Sequence, residues 1–432
     1  MSEKSLFNNF IKPVIRAVIL LLAGIAAGYL LLVLAYLLPV ERMQEKLFQS
    51  MDILTTEREY HRVIPGYPCT QLDNYTDSWM MGNAVYDNPL PVWKRALTCT
   101  SADYGEGPLD GLVRYLNPAE GGAEEGAYEE IEYTRYWHGY LVILKPFFLL
   151  FDYADLRVVN VVLDVLLVLL IWNALGDRGY RGEAWGYVIA VLFMMPIVIP
   201  LSIQFSVVFY LVNIAVLVLL RRYDRLVEKN GMLFYFQIIG MATSYFDFLT
   251  YPIASLGVPL TCFLLLAADS DLWTKIKNII SYSISWGFGY GAMWAGKWVL
   301  STIILGDDVI ANALSQILLR SSHVENGEAI TTFDTWFRNI EFYLEEPYLI
   351  LIVVCIAVTI AGVLRNRRQI VSVICDSIPF VVVAVMPFVW YVLAGQHSYE
   401  HHWFTFRGLM TSVFACMCIC ARLCRTEEIR RR

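Results

Sequence analysis

The chain has 432 residues, 57% of them hydrophobic and only 17% charged, with a net charge of −7. A soluble domain carries roughly 25% charge, so the composition excludes an ordinary soluble enzyme and points to an integral membrane protein. The basic residues lie in thin loops rather than along a groove, which gives no footing to nucleic acid and suits anionic lipid head groups.

In chain order, apolar runs of roughly 18 residues or more predict about ten membrane-spanning helices. They are 15–39, 156–175, 185–201, 203–220, 232–248, 251–268, 280–304, 347–364, 374–395 and 403–421. The first reads as an anchor, since no small-residue cleavage site follows it. Long apolar blocks split at Pro200 and Pro252 predict two hairpins with tight turns. Lys4, Lys12, Arg16, the clusters at 176–183, 221–229, 275–277 and 365–368, and the tail from Arg422 then share one side. The bias of Lys and Arg toward the cytoplasm places both termini there, in a bacterial plasma membrane. The expected fold is an all-α polytopic membrane protein, one domain over 1–432.

The opposite, outer side carries a large loop at 40–155 and a second at 305–346. Within the first, "ERMQEKLFQSMDIL" at 41–54 predicts an amphipathic interfacial helix. Its last part, 140–151, is too short to span and has Tyr and Trp at its start, as a half-inserted helix would. The second loop contains "TFDTWFRNIEFYLEE", again amphipathic. Cys69 and Cys99 are the only outward cysteines, and a disulfide between them is the expectation in an oxidising compartment. Cys416, Cys418 and Cys420 alternate along a span and read as packing.

Charges near a span are costly, so each needs an account. Asp73 and Asp77 in "QLDNYTDSWMMGNAV" are four apart, on one helix face. Together they suit a divalent cation; singly, one suits a general base; otherwise they cap a helix. Arg135 and His138 in "RYWHG", with Lys145 deeper, suit a phosphate at head-group level or simple snorkelling. Asp247 in "SYFDFLTYP" needs a cation or a substrate hydroxyl, and Lys297 is a candidate partner. The stretch "HSYEHHWFTFR" brings His397, His401 and His402 together before Arg407. His397 and His401 have a metal-ligand spacing, yet no third compact ligand set accompanies them. A cationic rim for a phosphate is the better reading, with a solvated connector as the alternative.

A large first outer loop, an acidic site within it, a half-inserted helix before the second span and a cationic last outer loop form a layout. That layout resembles the GT-C superfamily of membrane glycosyltransferases. The resemblance covers most of the chain and is architectural. It implies a sugar donor on a polyprenyl phosphate, a glycan or protein acceptor, inverting chemistry, and an acidic residue of the first outer loop as base or metal ligand. Asp73 and Asp77 match that position only loosely, which leaves Glu57 and Glu59 as competitors; the His/Glu/Arg stretch matches loop motifs faintly. Rival readings are a transporter or flippase of lipid-linked glycans, and a glycan polymerase or ligase. Against a carrier stand the lack of a repeat and of charges in the central turns of most spans. Against a polymerase or ligase stands the early position of the large loop.

Overall fold

A computed structural model describes residues 11–117, 128–365 and 370–424, with side chains for all of these but 370–372. Lys4, Glu124, Glu125, Arg367, Arg368 and the tail beyond Cys424 fall outside the described residues. The protein is overwhelmingly helical. Two small antiparallel ribbons, Ser101–Asp103 with Glu129–Ile131 and Val324–Glu325 with Glu328–Ala329, are its sheet content among the described residues.

Among the described residues, six helices are long and apolar enough to cross a membrane: Lys12–Tyr36, Tyr153–Asp177, Ile203–Glu228, Glu346–Arg365, Val373–Leu393 and His402–Cys424. The other expected spans take different forms. Segment 185–201 is the helix Arg181–Leu192 followed by turns to Ser202. Pro196 and Pro200 remove backbone donors there, so the helix cannot continue. The hairpin around Pro252 is the pair Met232–Phe246 and Ile253–Leu266, both shorter than a full span. Segment 280–304 lies inside a 34-residue helix, Leu272–Leu305. Asp271 caps its start through the Thr274 N–H, and Gly306 in the left-handed region ends it.

Helix Ile253–Leu266 is apolar all round, and every residue from Ile253 to Leu265 is buried. Such a helix belongs inside a bundle. The principal core forms around it, from Arg181–Leu192, Ile203–Glu228 and the last helix. Gly240 and Gly289 allow Met232–Phe246 and Leu272–Leu305 to touch backbone to backbone, since a Cβ at either would strike Trp286 O or Gln237 O.

The first loop builds a second core against Lys12–Tyr36. The expected helix 41–54 breaks into Glu41–Phe48 and Met51–Glu57, and the segment 140–151, expected to be half-inserted, contains the short helix Leu141–Phe148. Cys69 and Cys99 belong to different cores and both are free thiols, so the expected disulfide does not form.

Candidate functional site

A cavity of about 460 Å³ lies where both loops meet the 247–252 linker and the 395–404 segment. Asp73, His138, His397 and His401 line it, with Glu400, Arg320 and Gln204. Tyr60, Tyr75, Trp79 and Trp403 form an aromatic rim. Tyr60 stacks on Tyr75 and meets Trp403 edge-on.

Asp73 enters the cavity because it is the N-cap of helix Asn74–Val85. One carboxylate oxygen, Oδ1, accepts the Thr76 N–H at 3.0 Å. The Thr76 hydroxyl also lies beside the carboxylate, which lines the cavity. The Trp403 indole N–H comes near without closing a hydrogen bond. Burial pushes the Asp73 pKa up to about 6, with the charge of Asp77 adding to it. A carboxylate that is ionised at neutral pH but holds a proton readily suits general-base work.

Arg320, the last residue of helix Val309–Arg320, organises the histidines. Its Nη1 donates to His401 Nε2 at 2.8 Å and more weakly to His397 Nδ1 and Glu400 Oε2 at 3.4 and 3.5 Å. His397 Nε2–H donates to Leu249 O at 2.8 Å. These contacts fix both tautomers: His397 carries its proton on Nε2 and His401 on Nδ1. The Nδ1–H of His401 has no partner. Burial, followed for His397 by the Arg320 charge and for His401 by the charges of His397 and Arg320, lowers both pKa values, that of His397 to about 3. Both rings are neutral donors and acceptors, not cations.

His138 lines the same cavity with both nitrogens engaged. Nε2–H donates to Tyr133 O at 2.8 Å, and the Tyr140 hydroxyl meets Nδ1 at 2.9 Å. Burial, and then Lys297, lower its pKa to about 3. The expected cationic role for His138 therefore gives way to a positioning one.

A second, apolar groove adjoins the cavity and shares Tyr136 and Arg320 with it. Tyr290, Trp294, Trp298 and Trp390 line it, and Arg135 stands at its polar end. The Arg135 guanidinium lies 4.1 Å from the Tyr133 ring, with Nη1 reaching Asn312 at 3.4 Å.

The remaining sequence-derived candidates lie elsewhere. Asp77 is turned away from Asp73 and fully engaged. Its oxygens accept from Ile203 N–H (2.8 Å), Gln204 N–H (3.1 Å), the Ser202 hydroxyl (3.1 Å) and the Tyr153 hydroxyl (2.9 Å). The two carboxylates thus do not converge on a cation. Asp247 accepts the Thr250 N–H, holding its own turn, and Lys297 donates to Leu97 O at 2.9 Å, so the expected pair is absent. Lys145 donates to Ala84 O. His402 Nδ1 faces Tyr399 O, and its ring stacks on Phe342. Arg407 is fully buried, donating to Met194 O and Trp403 O. Glu57 pairs with Arg157 at 2.7 Å.

Arg320 was not singled out in the sequence. Its signal was available: Arg320 and Arg338 are the only Lys or Arg in 305–346, and Arg320 ends an amphipathic helix. Tyr60 and Gln204 carried no signal. No protein-family model matches the chain, and neither a curated protein nor a solved structure matches it.

Proposed function

We propose that the protein transfers a sugar from a polyprenyl-phosphate donor to an acceptor hydroxyl at this cavity. One observation carries the reading. A polar cavity lined by the Asp73 carboxylate joins an aromatic, apolar groove, and an arginine stands at the junction. A lipid-linked sugar phosphate has the matching order of parts. The polyprenyl chain would occupy the groove, Arg320 and Arg135 the phosphate, and Tyr60, Trp79 and Trp403 the sugar ring.

In the reaction, the acceptor oxygen bonds to the anomeric carbon as the bond to the phosphate oxygen breaks. The phosphate leaves with that electron pair. Asp73 takes the acceptor's proton, and attack from the face opposite the leaving group inverts the anomeric centre. His401, whose Nδ1–H is unpartnered, lines the same cavity. With ten crossings, the shorter helices included, the cavity lies on the outer side of a bacterial plasma membrane and both termini lie inside.

A proton-coupled carrier is the second reading, because Asp164 stands in the middle of an apolar helix. The test is transfer in liposomes containing a lipid-linked sugar. The wild type is expected to form a glycosidic bond and Asp73→Asn to lose turnover by about 10²–10⁴-fold. Sugar-lipid crossing the bilayer without bond formation would establish the carrier instead.

A further inference from the structure

Helix Tyr153–Asp177 is 25 residues long and apolar enough to cross a membrane, yet its inward face carries Arg157, Asn160 and Asp164 in successive turns. The first two are satisfied. Arg157 pairs with Glu57 and also donates to Tyr153 and Asn74. Asn160 donates to Pro200 O at 3.1 Å and accepts the Tyr210 hydroxyl at 2.7 Å. Asp164 differs: it is only 8% exposed, and neither carboxyl oxygen has a hydrogen-bond partner.

Its surroundings explain why. The helices packed against this one present Tyr187 and Tyr210, and Tyr251 stands just before helix Ile253–Leu266; all three phenols lie within electrostatic reach of the carboxyl. Each phenol has one proton, and each is already committed: Tyr187 to Asn213, Tyr210 to Asn160, Tyr251 to Phe205 O. Arg157, two turns away on the same helix, is held by Glu57. Among the described residues no basic side chain acts on Asp164. An ionised carboxylate here would have neither a donor nor a counter-charge in the least polar part of the protein. A carboxylic acid would reverse the mismatch. It carries no charge, so it needs no counter-charge there.

We propose that Asp164 is a proton-binding site: its carboxyl carries a proton in the resting protein. A transferase and a carrier both accommodate such a site, so the proposal leans on neither. Its position is an exception to the expectation that most spans lack central charge, and an ionisable group at this depth is a functional feature by default.

The test uses full-length protein in liposomes and dicyclohexylcarbodiimide, an apolar reagent for protonated carboxyls. The carboxyl O–H adds across one C=N bond of the reagent, and acyl migration to nitrogen leaves a stable N-acylurea. Mass mapping is expected to find this adduct on Asp164, with a yield that falls as pH rises. Infrared difference spectra of the same sample are expected to show a protonated-carboxyl C=O stretch that Asp164→Asn removes. That variant should unfold at the wild-type temperature or above, because Asn is isosteric with the neutral acid. Adducts confined to other carboxyls together with no Asp164-dependent infrared band overturn the proposal. If the Asn variant does not fold, the pH-difference spectrum and adduct of the wild type decide.

Discussion

The cavity and the wall behind it contain the same kinds of residue, used in opposite ways. In the wall, each rare charge is committed to backbone at the end of a structural element. Asp77 accepts the first N–H groups of helix Ile203–Glu228, where the positive end of the helix dipole lies. Lys145 and Lys297 donate to Ala84 O and Leu97 O, in the last turns of Asn74–Val85 and Val92–Thr98. Arg407 donates to carbonyls just past helix Arg181–Leu192 and in the short helix His402–Thr405. Anions sit on helix starts and cations on helix ends, so these side chains finish the secondary structure. In the cavity, by contrast, the Asp73 carboxylate lines the space and His401 keeps one atom free. A costly charge alone does not mark a site. A polar atom that the fold leaves unused, in a residue lining a cavity, does.

The sharpest way to break this comparison is the pair of aspartates. The loss of turnover expected for Asp73→Asn, about 10²–10⁴-fold, corresponds to roughly 3–5 kcal/mol of barrier and should come without loss of fold. Asp77→Asn should do the reverse. One carboxamide oxygen cannot replace two carboxylate oxygens that accept from four donors, and the buried network around Arg157 loses its balance. We expect destabilisation of about 3 kcal/mol, read from thermal unfolding in detergent, with near wild-type activity per folded molecule. Equal turnover defects in both variants would abolish the distinction.

Asp73 should also register in stability. Its folded pKa of about 6 lies above the ~3.9 of an unfolded chain, so the folded state holds the proton more tightly. Below pH ~4 both states are protonated and the carboxyl has no effect. Between ~4 and about 6 the unfolded chain ionises first, and stability falls as pH rises. Above that window the loss is complete, on the order of 2–3 kcal/mol. Asp73→Asn keeps the cap on Thr76 and removes the charge, so it should melt higher than wild type at pH 7.5 and equally at pH 4. Transfer by the wild type should decline as pH drops through about 6. A variant that is inactive yet more stable is the signature of a residue kept for chemistry.

Much of this was legible because it is local. Asp73 heads "DNYTD" before an apolar stretch, and an Asp there caps a helix and faces out of it. The clustered histidines in 397–402 and the short helix at 141–148 follow equally from pattern and length. What the sequence concealed was direction. Asp73 and Asp77 share a helix face by spacing, but Ser202–Gln204 arrives from more than a hundred residues away and claims Asp77. The two prolines at 196 and 200 that end helix Arg181–Leu192 are what let that strand of backbone reach it. Apolar length also hid a difference in setting, because a helix such as Ile253–Leu266 is apolar through burial in protein. Asp164 escaped notice since one acid barely lowers the hydropathy of a run so rich in Val and Leu.

The smallest expected effect tests whether Arg320 acts by charge or by shape. Arg320→Lys keeps a cation at the junction of cavity and groove, and its attraction for a phosphate. It removes the planar fork that holds His401 Nε2 while reaching His397 Nδ1. His401 is then free to move its proton to Nε2, and the unpartnered Nδ1–H is lost in part of the molecules. We expect donor KM to change little and kcat to fall about tenfold, near 1.4 kcal/mol. Arg320→Ala should raise donor KM as well, because the phosphate loses its cation. If Lys restores wild-type kcat, Arg320 serves as a point charge and the histidine tautomers carry no weight in the reaction. If both substitutions leave donor KM unchanged, the phosphate is held elsewhere, and Arg135, at the polar end of the same groove, is the side chain to replace next.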